Sequence, residues 1–282
     1  MDSGGRTVGL ANAPAKFLVA VQLAALAACQ TPTEHAVRTA RHAELSVSVI
    51  QGTRYRHEIF AGRSTPGQTL FVFIDGDGVP WSRGGREPAR DPTPHRPLAL
   101  ELAARTPRSV LYVGRPCYFS ARSDPRCSAL VWTSERYSAE VVESMAAVVN
   151  RYAALHAAGR VVLIGYSGGG ALAILAAPRV PATRAVVTVA ADLDVDAWAA
   201  WHHFLPLTGS LNPATQAPLD PAIQQWHLLG DRDLNVPASV SRRYLATVSP
   251  DRIWHFATFD HACCWAGHWS RIFPRLEAAL GD

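Results

Sequence analysis

A chain of 282 residues carries 27 Lys and Arg against 23 Asp and Glu, a formal charge of +4 that is mostly Arg and has no long run. Charge so weak and dispersed lacks the basic stripe of a nucleic-acid-binding protein, and 48% hydrophobic residues suffice for a packed core. There is no internal repeat, and the one long apolar stretch lies near the N-terminus, so one large α/β domain is expected.

Arg6 and Lys16 precede that stretch, Phe17 to Ala28. It has the length of a signal peptide's apolar region and is too short to cross a bilayer comfortably. It ends in Leu26-Ala27-Ala28-Cys29. Small residues directly before a cysteine resemble the bacterial lipobox, which implies lipidation of Cys29 as the first mature residue. Several acyl chains then anchor the protein firmly to a membrane. An ordinary cleaved signal with a coincidental cysteine is the alternative. Gln30, not Asp, follows, as in proteins sorted to the outer membrane. Residues 1–28 are thus expected as a lipoprotein-type signal peptide, 29–43 as a polar linker and 44–282 as the folded domain. The expected location is the bacterial cell envelope, outer membrane or periplasm.

Strands are expected near 44–50 and 54–61, paired as a hairpin that closes one edge of the sheet. Thr69 to Ile74 is a third, buried strand, followed at once by Asp75-Gly76-Asp77-Gly78. Residues 78–97 are rich in Gly, Arg and Pro and read as a loop. A helix near 97–105, a strand at 109–113 and a helix near 136–157 come next. From there strands near 161–164, 185–190, 225–229 and 252–257 alternate with helices near 169–177, 238–247 and 268–280. Such alternation argues for a parallel sheet with crossover helices on both faces. The irregular stretch 192–221 sits between two of these strands. Its Trp198, Trp201, His202, His203, Phe204, Leu205 and Leu207 would either lid an acyl pocket or only pack a short cap onto the body.

The chemistry is most legible at Val161-Val162-Leu163-Ile164-Gly165-Tyr166-Ser167-Gly168-Gly169. An apolar strand runs into G-x-S-x-G and then into an Ala-rich helix, the context of a nucleophile elbow. Small residues let the chain turn sharply, and the helix N-terminus faces the point where an oxyanion would form. A phosphate loop would need a Lys before Ser or Thr, and a dinucleotide site G-x-G-x-x-G; neither is present.

A serine hydroxyl needs a base to take its proton, and the base needs an orienting carboxylate. The expected chain order is Ser, acid, His. The acid falls in Gly230-Asp231-Arg232-Asp233-Leu234-Asn235-Val236-Pro237. Asp233 is preferred, with Asp231 as a turn residue that bonds nearby amides. The base is expected in the loop after the last strand, at Asp260-His261. His268 is the runner-up, and His255 lies within the strand. The amide of Gly168 would be one oxyanion donor. By position Asp77 supplies the second, with Gly78 next. Two carboxylates at that point must turn away or be paired.

With these parts in order, the chain resembles the α/β-hydrolase family from about Ala43 to Leu280. More narrowly it is similar to a group of bacterial exported hydrolases, through Gly114-Arg115-Pro116-Cys117-Tyr118, Trp132-Thr133-Ser134-Glu135-Arg136-Tyr137-Ser138, Gly209-Ser210-Leu211-Asn212-Pro213 and His261-Ala262-Cys263-Cys264-Trp265. The resemblance implies a mostly parallel eight-stranded sheet and a serine hydrolase acting on a small-molecule acyl substrate. A carboxylic-ester hydrolase is expected, with no cofactor and no metal. A non-catalytic envelope binding protein and an acyltransferase are the alternatives. Without Cys29, Cys117, Cys127, Cys263 and Cys264 remain, an even number that suggests two disulfides in an exported chain. Cys117–Cys127 with a vicinal Cys263–Cys264 bond is preferred over a staple between the two loops.

Overall fold

A computed structural model describes residues 1–2 and 31–281 of the protein. The signal peptide and Cys29 lie outside the described residues. Residues 32–282 form one compact unit.

An eight-stranded sheet is its centre, in the order β1-β2-β6-β3-β7-β8-β9-β10. The strands are β1 (Ser46–Gln51), β2 (Arg56–Ala61), β3 (Leu70–Ile74), β6 (Ser109–Val113), β7 (Val161–Tyr166), β8 (Thr183–Val189), β9 (Gln224–Gly230) and β10 (Ile253–Phe256). β1 pairs antiparallel with β2, and β2 with β6. Every pairing from β6 through β10 is parallel. The expected antiparallel edge and parallel body are both present.

β3 shows why the centre is buried on both faces. Leu70, Val72 and Ile74 point into one apolar layer, with Val141, Val142, Met145 and Leu172. Phe71 and Phe73 point into the other, with Leu100, Trp269 and Phe273. The two-residue period of a strand sends alternate side chains to opposite faces, and a parallel sheet covered by helices on both sides needs apolar residues at every position. The first layer is covered by α3 (Ala139–Leu155) and α4 (Gly168–Ala176), the second by α1 (Pro32–His42), α2 (Leu98–Ala103) and α7 (Trp265–Leu280). Ser138 caps α3 by accepting from the Val141 amide.

Four expectations are corrected. Most of the 29–43 segment is not a linker but α1, which buries Ala36 and Ala40 completely. Its apolar face is two alanines four residues apart, too little to stand out among polar neighbours. The 78–97 loop contains a small hairpin, β4 (Trp81–Ser82) with β5 (Glu87–Pro88). The 238–247 helix shortens to α6 (Arg242–Leu245), because Ser241 is drawn aside: its hydroxyl donates to Ala191 O and accepts from Leu193 N. The cap holds a helix, α5 (Val195–Trp201), whose N-cap Asp194 accepts from Ala197 N.

Candidate active site

β7 carries Ser167 to the end of the sheet and releases it in a conformation foreign to strand and helix, φ 53° and ψ −129°. Such a backbone costs on the order of 1–3 kcal/mol and persists only where its surroundings hold it. Here Ser167 N donates to Val189 O at 3.0 Å, and Ser167 O accepts from Gly170 N at 2.8 Å. The turn also packs tightly. A β-carbon on Gly169 would stand 2.2 Å from Ile74 O, so α4 can approach β3 only through glycine.

Two loops bring partners to the serine. His261 Nε2 lies 3.1 Å from Ser167 Oγ, and His261 Nδ1 lies 2.8 Å from Asp233 Oδ2. The other Asp233 oxygen accepts from the amides of Asn235 and Val236, each at 2.8 Å. One carboxylate oxygen thus locks the turn while the other faces the imidazole. Asp233 is buried and His261 half-buried, its ring 5.2 Å from that of Tyr166. The His261 loop is tied locally. Asp260 Oδ1 accepts from the amides of Ala262 and Cys263, and Cys263 is bonded to Cys264. The other disulfide joins Cys117 to Cys127, with Cα atoms 5.6 Å apart.

The competing residues stand elsewhere. Asp231 pairs with His255 at 2.8 Å on the surface. His268 is exposed in the first turn of α7, and its Nδ1 donates to Cys264 O. Two other His–hydroxyl pairs exist, His57–Ser144 and Thr188–His227, each at 2.8 Å. All four residues are fully buried and none lines the cavity described below. Burial pushes the His57 imidazole down to about 4 and that of His227 down to about 3. These pairs have no route to a substrate.

The loop after β3 lies directly over Ser167, with the Gly76 backbone against its side chain. Its two carboxylates are both disposed of. Asp75 is buried, accepting from the amides of Gly76 (3.0 Å) and Ala99 (3.2 Å), and burial pushes its carboxyl up to about 7. Asp77 turns its carboxylate onto Arg115, Arg136 (2.6 Å) and the Tyr137 hydroxyl (2.8 Å). Burial alone would raise its carboxyl, but Arg136 and Arg115 outweigh that and hold it well below the usual carboxylate range. The Tyr118 hydroxyl donates to Asp77 O at 2.7 Å. Gly168 packs against this same Asp77–Tyr137 pair, so the two expected oxyanion residues are neighbours.

No family model matches the chain, and no curated protein matches it. Solved structures do. An esterase from Pyrococcus furiosus superposes with a TM-score of 0.58 at 14% identity, over 86% of this chain and 93% of that one. A membrane phospholipase A that is a bacterial virulence factor gives 0.54 at 16% identity, over 95% and 96%. An α/β serine hydrolase without a lid, from Xanthomonas campestris, gives 0.50 at 13%, over 82% and 94%.

The chain has the α/β-hydrolase fold.

In that fold the mouth of the site is built by the loops at the carboxyl ends of the strands. They enclose a cavity of about 990 Å³ floored by Ser167, His261, Gly76 and Asp77. Its walls are largely apolar: Trp81 of β4, Leu130, and Trp198, Phe204, Leu205 and Leu207 of the cap. The cap is tied to the acid turn, since the Trp198 indole and His202 Nε2 both reach Asn235 O, at 3.2 and 2.7 Å. Asn212 stitches it internally, donating to Asp194 and Asp196 at 2.8 Å each. The cap aromatics therefore divide. Trp198 and Phe204 wall the cavity, whereas His202 stacks behind Phe204 and Trp201 faces outward.

The sequence reading assigned no role to Arg115, Tyr118, Arg136 or Tyr137. All four lie within the motifs that carry the resemblance, but their partnership with Asp77 depends on burial and on a fold that brings segments 38 to 60 residues apart together. Asp192 is buried beside the Ser167 turn, its amide 3.4 Å from Ser167 O, and burial pushes its carboxyl well above the usual range.

Proposed function

We propose that the protein is an exported serine hydrolase that cleaves carboxylic esters through an acyl-enzyme intermediate. One observation carries the reading: the hydrogen-bonded series Asp233–His261–Ser167 ends at the floor of an apolar cavity. His261 takes the Ser167 proton as Oγ attacks the carbonyl carbon. Asp233 accepts from Nδ1–H, which leaves Nε2 as the base and stabilises the imidazolium that forms. The amides of Gly168 and Asp77 receive the oxyanion, and the Arg-paired Asp77 carboxylate is kept from opposing that negative charge. His261 then protonates the leaving alcohol. Water, activated by the same imidazole, releases the acid.

The neighbours support this class: an esterase and a phospholipase A share the fold. Export and lipidation at Cys29 rest on the N-terminal sequence and belong to the proposal. The test is hydrolysis of a chain-length series of p-nitrophenyl esters by the protein and by Ser167→Ala. Turnover is expected to fall by roughly a millionfold in the variant with unchanged circular dichroism, and the preferred chain length sizes the cavity. Persistent hydrolysis in Ser167→Ala overturns the assignment. Silence of the folded parent on every ester, with no fluorophosphonate labelling of Ser167, favours a binding scaffold instead.

A further inference from the structure

We propose that the rim of the Ser167 cavity docks on an anionic lipid surface, so that the acyl ester is drawn from a membrane or lipid aggregate. The substrate part of this inference rests on the serine-hydrolase reading; the docking part does not.

The exposed large apolar side chains are concentrated at one place. Trp81, Leu130, Phe204 and Leu205 line the cavity and also face solvent, Leu205 with 86% of its surface exposed. Leu234, at 80%, and Trp201 lie beside them, joined through the Trp201 indole and Leu234 O at 3.4 Å. These six side chains come from separate segments: β4, the turn before α3, the cap and the acid turn. Away from the rim, the large apolar residues exposed among residues 31–281 are Val47 and Val49 on the edge strand and Leu155 at a helix end. Single exposed apolar residues are ordinary, but a gathered patch marks a surface that something covers.

The charge around the patch selects the occupant. Residues 78–96, which include one wall of the mouth, contain four arginines against two carboxylates. One of those carboxylates, Asp91, is already engaged by Arg122 at 3.2 Å. His95 and Arg96 line the mouth, and Arg96 is largely exposed, its nearest carboxylate, Glu101, standing 3.9 Å off. The acids lining the cavity are Asp75, which is buried, and Asp77, which is held by two arginines. The mouth thus joins apolar side chains to a segment, 78–96, in which cations outnumber carboxylates, and the acids that line the cavity itself are buried or paired. A second copy of the chain would bring like charges together there. A bilayer with anionic headgroups satisfies both features, taking the apolar side chains into its acyl boundary and the cations at its headgroups.

The experiment uses the compact unit from Pro32 onward carrying Ser167→Ala, so that no N-terminal anchor contributes and vesicles are bound and not consumed, and measures co-sedimentation with phosphatidylcholine vesicles with and without phosphatidylglycerol. Binding is expected to the anionic vesicles and to be much weaker without phosphatidylglycerol. Adding Trp201→Ser and Leu234→Ser is expected to weaken it by about ten- to a hundredfold, from the apolar area withdrawn. Adding Val47→Ser and Val49→Ser, away from the rim, is expected to leave it unchanged. Circular dichroism checks that each variant is folded. The proposal is overturned if the parent stays in the supernatant, if both pairs weaken binding equally, or if sedimentation equilibrium finds a dimer that the rim pair dissolves. Equal binding to both compositions overturns the anionic assignment. Failure of the hydrolase reading appears separately, as ester turnover that survives Ser167→Ala, and leaves the vesicle result intact.

Discussion

Asp231 and Asp233 are two residues apart and chemically identical, yet they do different work. Asp231 meets His255 at the surface, where solvent screens the pair. Asp233 is buried, fixed by two amides, and presents one oxygen to His261. Asp233→Asn should therefore lower kcat by about a thousand- to ten-thousandfold, because an amide there permits the wrong imidazole tautomer. Asp231→Asn should change kcat less than about twofold, as expected of an exposed pair. Steady-state kinetics on one ester compares the two. Equal losses would remove Asp233 from its role. Asp77 makes a second residue-scale case. Its carboxylate answers two guanidiniums that are almost wholly buried, and breaking such a cluster from one side costs about 3–5 kcal/mol. Asp77→Asn should lose that much in urea unfolding. Adding Arg136→Met should restore part of it, since the second change removes a stranded charge. A double variant no better than the single would show that the guanidiniums do not need the carboxylate.

At the scale of elements, the sheet stores a pH dependence. β9 places His227 between the Thr188 hydroxyl and the Tyr244 ring, wholly buried. Burial lowers its imidazole to about 3, whereas in the unfolded chain it titrates near the ordinary value of about 6.5. Between those values the unfolded state binds the proton and the folded state does not, so stability rises with pH across that window. The contribution is complete above about pH 6.5 and is lost as pH falls toward 3. His227→Leu should flatten the thermal midpoint over this range relative to the parent. An unchanged acid limb in calorimetry would assign the titration to other groups. The same scale explains where sequence patterns misled. β3 is apolar throughout and lies within one residue of its expected bounds, whereas β7 runs on through Gly165 and Tyr166, two residues past its expected end. α1 was hidden because helix–sheet contact through two alanines leaves no strong stripe. α6 was overestimated because its Ser241 bonds across to Ala191 and Leu193, some fifty residues away in sequence.

For the whole molecule, the sequence by itself determined that a Ser, an Asp and a His come together, and their order along the chain. Ser167 stands in a strand–turn–helix whose glycines are required by contacts a few residues away, and Asp233 and His261 each sit just past a strand. Those requirements are local, so they are written in short motifs. The parallel body of the sheet followed from the alternation of strands with helices along the chain. Only the tertiary structure decided which of two aspartates reaches the histidine, since a side chain's direction at a loop depends on what packs behind it. It also decided how the Asp77 loop tolerates its charge. The guanidiniums and hydroxyl that hold that carboxylate come from 38 to 60 residues away. No spacing rule links residues that far apart; they meet because β3 and β6 are neighbours in the sheet and α3 begins over the same end. The apolar rim is likewise a product of folding. Trp81, Leu130, Leu205 and Leu234 look unrelated along the chain and become one surface only when the strand ends gather their loops together.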